Sequence, residues 1–308
     1  MPRKPTNPSD IHGWLIIDKP AGVTSSRVVE KLRRATGAKT GHAGTLDPLA
    51  TGVLPVALGE ATKTMQFVSA GVKRYRFRIR WGIATETDDG EGAVIGESPV
   101  RPDQAAVIAA LPRFLGRIMQ RPPAYSALKV AGRRAYALAR AGKPPELPPR
   151  PVDIYELRFV EADDPDNADF EALVGEGTYI RALARDLAEA LDTVGHIAEL
   201  RRLAVGRFDE TQAISLDSAL SLGHSLAASE HLLPIETALD DIPALALTAT
   251  EATRLCHGQR VTPQDAGARA RLDRIANGTI VGARHERLLV ALARIEEGGL
   301  RPVRVINR

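Results

Sequence analysis

Polar and apolar positions alternate with a period of two along residues 72–83, VKRYRFRIRWGI, which predicts a strand with one buried face. Tyr75, Phe77, Ile79 and Trp81 form that face, and Arg74, Arg76, Arg78 and Arg80 form the other, with Lys73 outside the alternation. The short apolar run WLII predicts another strand, broken by the turn Lys19-Pro20-Ala21-Gly22. A helix then starts at Ser25 or Ser26, whose side-chain oxygen caps it. Val28, Val29, Leu32 and Ala35 share one face, and Gly37 ends it. Residues 103–116 predict a helix with Val107, Ile108, Leu111, Phe114 and Leu115 as its apolar stripe, divided at Pro112.

Beyond a proline-rich stretch at 144–151, read either as a linker or as an extended excursion within one domain, VDIYELRFV resumes as a strand. The period changes within 170–191. The strand FEALV meets the turn Gly175-Glu176-Gly177, and Thr178 is placed to cap a helix carrying Ile180, Leu183, Ala184 and Leu187 on its apolar side. Residues 200–208, LRRLAVGRF, read as strand. From about 240 a capped short helix closed by Gly258 is followed by the strand patterns GTIVGAR, RLLVALARIEEGG and LRPVRVI, which suggest a small β-barrel after the linker-like IETALDDIPA. No internal repeat is visible.

One stretch obeys neither period. Residues 41–52, GHAGTLDPLATG, combine His42 and a single carboxylate, Asp47, with glycines that tolerate positive φ, while Pro48 biases Asp47 toward an extended backbone. The apolar run VLPVAL follows at once, so the loop is expected to rest on a buried strand and to present Asp47. Arg181, in the first turn of its helix, is mildly unfavourable for the helix dipole, which hints at a local anionic partner. Asp88 and Asp89 in the acidic stretch TETDDGEG either orient a basic residue or face water, and Lys19 is either a phosphate contact or a solvated turn lysine.

Composition narrows the class. The 308 residues are 44% hydrophobic and 26% charged, ordinary for a globular chain with a large core. The formal charge of +3 is too small to prove a polyanionic partner, but the arginine stripe of 74–80 is also what a nucleic-acid surface supplies. A single cysteine, Cys256, excludes an internal disulfide framework, and no Cys/His cluster has zinc-ligand spacing. The basic, proline-rich start lacks the apolar core of a signal peptide, and no apolar run approaches the ~20 residues of a membrane span, so a cytoplasmic protein is expected. No GxxxxGK[ST] is present, and Gly175-Glu176-Gly177 lacks the rest of a dinucleotide loop. His42 near Asp47 offers acid-base hydrolysis, but no serine stands in a GxSxG setting.

GHAGTLDPLATGVLPVALGEATK resembles the catalytic signature of the bacterial tRNA pseudouridine-55 synthases, the TruB family. DKPAGVTS, YRFRIRWGIATETDDGEG, QRPPAYSALKVAGRRAY, GTYIRALARDLAEAL and LRRLAVGRF resemble further family segments in the family's order. The resemblance implies an α+β pseudouridine-synthase fold with a central mixed, mainly antiparallel sheet flanked by helices, and a C-terminal PUA-like barrel. It divides the chain into a tail at 1–11, a catalytic domain at 12–240 and an RNA-binding module at 241–308.

It also implies isomerisation of uridine 55 in the tRNA T-arm without metal or cofactor, by a monomer that needs no protein partner. Asp47 takes the nucleophile's position, attacking C6 of uracil or C1′ of ribose. Arg181 orients it, Asp89 fixes Arg181, and Tyr75 stacks on the base. Tyr179 and Leu200 enclose the nucleotide, His42 fills the stack that the flipped base vacates, and Lys19 joins the substrate-binding set. Val174, and Ala188 after Asp186-Leu187, depart from the family pattern away from these positions. The basic pairs Arg133-Arg134 and Arg201-Arg202, with Arg301, Arg304 and Arg308, extend the arginine stripe into an expected phosphate-binding face. A competing reading is a tRNA-folding chaperone, for which Asp47, Tyr75 and Arg181 would not be required.

Overall fold

The structure is a computed structural model describing residues 11–126, 128–130 and 132–307. The expected tail lies outside the described residues except for Ile11, which is buried and belongs to the core.

From the N-terminus the chain forms β1 (Gly13–Lys19), α1 (Ser25–Thr36), β2 (Thr40–His42), β3 (Thr51–Leu58), α2 (Met65–Ser69) and β4 (Lys73–Trp81). A hairpin of β5 (Ile83–Thr85) and β6 (Val94–Glu97) leads to α3 (Gln104–Ala110) and β7 (Gly116–Gln120). A second hairpin, β8 (Lys129–Val130) and β9 (Arg133–Arg134), precedes α4 (Ala135–Arg140). Then come β10 (Arg150–Asp164), β11 (Asn167–Val174), α5 (Ile180–Glu189) and β12 (Gly195–Val205). The body ends with β13 (Phe208–Asp209), β14 (Ile214–Ser215), α6 (Leu216–Leu222) and β15 (Leu232–Leu233).

An 11-stranded sheet runs β14-β1-β3-β12-β4-β11-β10-β7, with β2 on β3, β13 on β12 and β15 on β1. Its pairs are antiparallel except β1 with β14 and β3 with β12, so the sheet is mixed and mainly antiparallel. The alternation on β4 places Phe77 and Trp81 against Phe170 of β11, and α1 and α5 close the same core through Val28, Leu32, Leu183 and Leu187. α1 is capped by Thr24, whose side chain accepts from the Arg27 amide, rather than by Ser25 or Ser26, and it ends on Gly37 at φ 69°. α3 stops before Pro112 and continues as a short 3₁₀ turn, since proline cannot supply the helical amide. The proline segment is an excursion within the body: β10 begins at Arg150 and pairs with β7 and β11.

The C-terminal part consists of β16 (Ala244–Ala246), α7 (Ala249–Cys256), α8 (Ala266–Leu272), β17 (Ile280–His285), β18 (Leu288–Glu296) and β19 (Gly299–Val305). Its four strands form one sheet, β16-β17-β18-β19, over a small apolar cluster of their own. α7 starts at a Thr248–Glu251 capping box. The stretch read as a linker is packed instead, because Ile235 and Leu239 lie buried with Trp14, Leu289, Leu292 and Ile306. Lys63 Nζ donates to the Val305 carbonyl at 2.7 Å, and the Asn307 amide donates to Glu60 at 2.7 Å, fastening the same seam. Among the described residues no helix is long and apolar enough to cross a membrane.

Candidate active site

The loop between β2 and β3 takes its shape from buried side chains that grip its main chain. Ser25 Oγ donates to the Leu46 carbonyl at 3.0 Å and accepts from the Leu46 amide at 2.9 Å, fixing the residue before Asp47 to the first turn of α1. Arg202 of β12, 1% exposed, donates to the carbonyls of Val53 at 2.8 Å, Gly44 at 2.9 Å and Thr45 at 3.4 Å. Gly52 must be glycine: its φ is +96°, and a Cβ there would lie 2.2 Å from the Arg202 carbonyl oxygen.

Lys19 supplies the third grip. It is fully buried, and its Nζ donates to the carbonyls of Pro20 at 2.8 Å, Val23 at 2.7 Å and Pro48 at 3.2 Å. Burial lowers its pKa to about 8, with nearby Asp47 opposing the shift. Lys19 is therefore a buried brace of the loop, which corrects its expected place among the substrate contacts: three carbonyls occupy its three donors. Lys19→Met leaves those carbonyls without a donor and is expected to cost about 2–4 kcal/mol of folding stability. A urea unfolding midpoint corresponding to less than about 0.5 kcal/mol of change would remove Lys19 from the frame.

Asp47 emerges from this frame with its side chain 34% exposed, and its Oδ2 accepts from Arg181 Nε at 2.8 Å. The Arg181 side chain is only 4% exposed, and each of its two remaining nitrogens has a partner. Nη1 donates to the Thr87 carbonyl at 2.7 Å and lies 3.4 Å from Asp89 Oδ2, while Nη2 donates to the Tyr125 carbonyl at 2.9 Å. Asp89 is itself fixed, its Oδ1 accepting from Thr87 Oγ1 at 2.5 Å and from the Glu91 amide at 3.0 Å. The structure thus brings Asp47, Arg181 and Asp89 together from three distant segments. A carboxylate held this way by one side of a guanidinium keeps its other oxygen available to a reactant.

Tyr75 and Leu200 are buried in the apolar cluster that contains Leu46 and Ile180, and strand register places Leu200 opposite Phe77 and Arg202 opposite Tyr75. Tyr179 occupies the N-cap position of α5 with its ring 5.2 Å from the Arg150 guanidinium. Thr178 does not cap this helix: its Oγ1 is buried without a hydrogen-bond partner, and Gln120 of β7 receives the Tyr179 amide at 2.9 Å instead. His42, half-buried at the end of β2, has its Nδ1 buried and unpartnered. Burial, then the charge of Arg202, lowers its pKa, so a neutral ring is present at pH 7. No group of three or more His, Cys, Asp or Glu among the described residues is arranged to hold a metal ion.

The arginine stripe of β4 is a correction to the expected phosphate-binding face. Arg74 pairs with Glu156 at 2.9 Å, Arg76 with Glu161 at 2.8 Å, Arg78 with Asp169 at 2.6 Å and with Asp163 at 2.9 Å, and Arg80 with Asp166 at 2.6 Å. The acids come from the β10–β11 hairpin, more than seventy positions away, which is why the local sequence showed none. Arg201 is likewise paired, with Asp18 at 3.0 Å and with Glu210, and Lys73 is buried. Arg301 pairs with Glu296 at 3.4 Å, Arg133 and Arg304 remain at the surface, and Arg308 lies outside the described residues. Sequence reasoning missed the roles of Ser25, Gln120 and Arg202; a basic pair in a strand of otherwise buried character was the one signal for Arg202.

Residues 31–180 match the family profile described as TruB family pseudouridylate synthase (N terminal domain), and residues 181–240 match the tRNA pseudouridylate synthase B C-terminal domain. The tRNA pseudouridine synthase B of Rhodospirillum rubrum is 54% identical over 298 residues, covering 96% of this chain and 97% of that relative. This chain belongs to the TruB family. The tRNA pseudouridine synthase B of Gluconacetobacter diazotrophicus is a further TruB relative, 51% identical over 310 residues that cover 99% of this chain and all of that protein, 100%. Among solved structures, a Cbf5-Nop10-Gar1 complex aligns with a TM-score of 0.71 at 25% identity, covering 97% of this TruB-family chain and 86% of the other. An H/ACA RNP bound to a substrate RNA containing 2'-deoxyuridine gives 0.72 at 22% identity, covering 98% and 86%, and supports the shared fold alone.

Proposed function

We propose that this chain is a tRNA pseudouridine synthase that converts uridine 55 of the T-arm to pseudouridine, with Asp47 as the nucleophile. The observation that carries the reading is the 2.8 Å contact between Asp47, in the loop that carries the family signature, and Arg181 of α5, 134 positions away. The reaction needs no change in composition: the N1–C1′ bond breaks, uracil rotates, C5 bonds to the same ribose, and the proton lost from C5 is matched by one gained at N1. Asp47 attacks C6 of the base or C1′ of the sugar with the carboxylate oxygen that Arg181 leaves available, and that bond breaks again, by elimination from C6 or by displacement from C1′ by C5, before the product leaves.

The target base must leave its stack to reach Asp47, at a cost of a few kcal/mol. A neutral His42 ring is suited to filling the gap, since it replaces a stacked base without adding charge. Tyr75 stacks on the flipped uracil and takes part in removing the C5 proton, while Leu200 and Tyr179 enclose the nucleotide. The C-terminal sheet serves as a PUA-like RNA-binding module, with Arg304 on its exposed side and Arg133 on the β8–β9 hairpin as phosphate contacts. The chain acts as a monomer in the cytoplasm.

Incubation of unmodified tRNA with the enzyme, followed by chemical mapping of pseudouridine, tests class and position together. Modification at position 55 in intact RNA of unchanged mass is the expected result. Released uracil or cut RNA would indicate a hydrolase, and refolded but unmodified tRNA would indicate a chaperone.

A further inference from the structure

We infer that Arg185 is a positioning residue that, with Asp88, forms a second rung beneath Arg181 and holds the 120–126 segment against the site. The inference rests on reading Asp47 and Arg181 as the reactive pair.

Arg181 and Arg185 are four residues apart on α5, so their side chains rise from the same helix face one turn apart. Each bridges the same two segments. Arg181 reaches the Thr87 carbonyl and the Tyr125 carbonyl, at 2.7 and 2.9 Å. Arg185 reaches Asp88 Oδ2 and the Arg121 carbonyl, at 2.9 and 2.8 Å, and its Nε and Nη2 also donate to Asp186 Oδ1 at 3.0 and 2.7 Å. Only the upper rung touches Asp47.

The backbone at Asp88 is built for this division. Its φ is 60°, a left-handed conformation uncommon outside glycine, with a cost on the order of 1 kcal/mol for most side chains. Its carbonyl accepts from the Ile197 amide at 3.1 Å, and the Gly90 amide donates to the Ile197 carbonyl at 3.1 Å, so both flanks of the turn are pinned to β12. The turn sends Asp88 to Arg185 and Asp89 to Arg181. Burial pushes the Asp88 carboxyl up from its usual value, and the Arg185 and Arg181 charges oppose that shift. Without Arg185 the carboxyl would lose its direct partner, and the Arg121 carbonyl its donor. The segment that supplies the Tyr125 carbonyl to Arg181 would then be held at fewer points.

The test uses the full chain as Arg185→Gln, Arg185→Lys and Asp88→Asn; asparagine tolerates positive φ and keeps the turn. Hydrogen exchange is followed at the amides of Ala135 and Tyr136, which donate to the Leu128 and Ser126 carbonyls, and of Tyr179, which donates to Gln120. In Arg185→Gln these amides are expected to exchange about tenfold faster while β1 amides keep their rates. The kcat on T-arm RNA is expected to fall about tenfold with KM within about twofold, because Arg185 orients Arg181 without touching RNA. Arg185→Lys is expected to recover part of both effects, and Asp88→Asn to show them more weakly. Unchanged exchange at the three amides, a rise in KM at constant kcat, or faster exchange spread evenly to β1 would each overturn the inference. If the wild-type chain forms no pseudouridine, the Asp47 reading fails, while the exchange results still decide whether the rung exists.

Discussion

Asp47→Asn is expected to lower pseudouridine formation on a T-arm stem-loop by ~10⁴-fold or more, the scale seen when a reacting side chain is removed. The variant is expected to fold and to bind RNA within about threefold of wild type, because asparagine keeps an oxygen that accepts from Arg181 Nε. Arg181 also retains the carbonyls of Thr87 and Tyr125 and the Asp89 carboxylate as partners, so no buried charge is stranded. Single-turnover rates measured alongside RNA affinity separate the two effects. Turnover by the Asp47→Asn variant near the wild-type rate would overturn the nucleophile assignment.

The second large effect is expected at Arg181. Its guanidinium spans acceptors on three segments, Asp47, the Thr87–Asp89 turn and Tyr125, with a planar fork that a lysine ammonium cannot reproduce. Arg181→Lys keeps the charge but reaches fewer of these partners. It is expected to lose about 10²-fold or more in kcat and about 3 kcal/mol of stability, the range for disrupting a buried ion pair. The two losses are measured separately, by single-turnover kinetics below the unfolding range and by urea denaturation. A lysine variant with wild-type kcat would mean that the fork does not orient Asp47.

The strands and helices were legible because their periods are local. The alternation of β4 identified Tyr75, Phe77, Ile79 and Trp81 as inward residues, and Gly37 marked the end of α1. The loop holding Asp47 was legible from its glycines and Pro48, whereas the helix start gave only a hint at Arg181, whose role came from the family resemblance. What the sequence hid were partners across the fold. The β4 arginines looked unopposed until the β10–β11 hairpin supplied Asp163, Asp166, Asp169, Glu156 and Glu161. Lys19 reads in the sequence as either a phosphate contact or a solvated turn lysine, yet the turn folds over it and buries it against backbone carbonyls. Thr178 had the residue type of a helix cap, but the chain turns one residue later and Gln120 takes the amide. Polar side chains show the same letters whether they meet water, phosphate or a carbonyl.

Lys19, Ser25 and Arg202 grip the loop that presents Asp47 only through its peptide groups, at Gly44, Thr45, Leu46 and Pro48. The curve of the loop is therefore dictated from outside it, by residues up to 158 positions away. Thr45 and Asp47 lend their side chains to none of these grips. The shape of the loop and the carboxylate it presents are thus specified by different parts of the polypeptide: the side chain at position 47 can be altered without redrawing the curve, and the curve can be redrawn at Arg202 without altering any side chain of the loop.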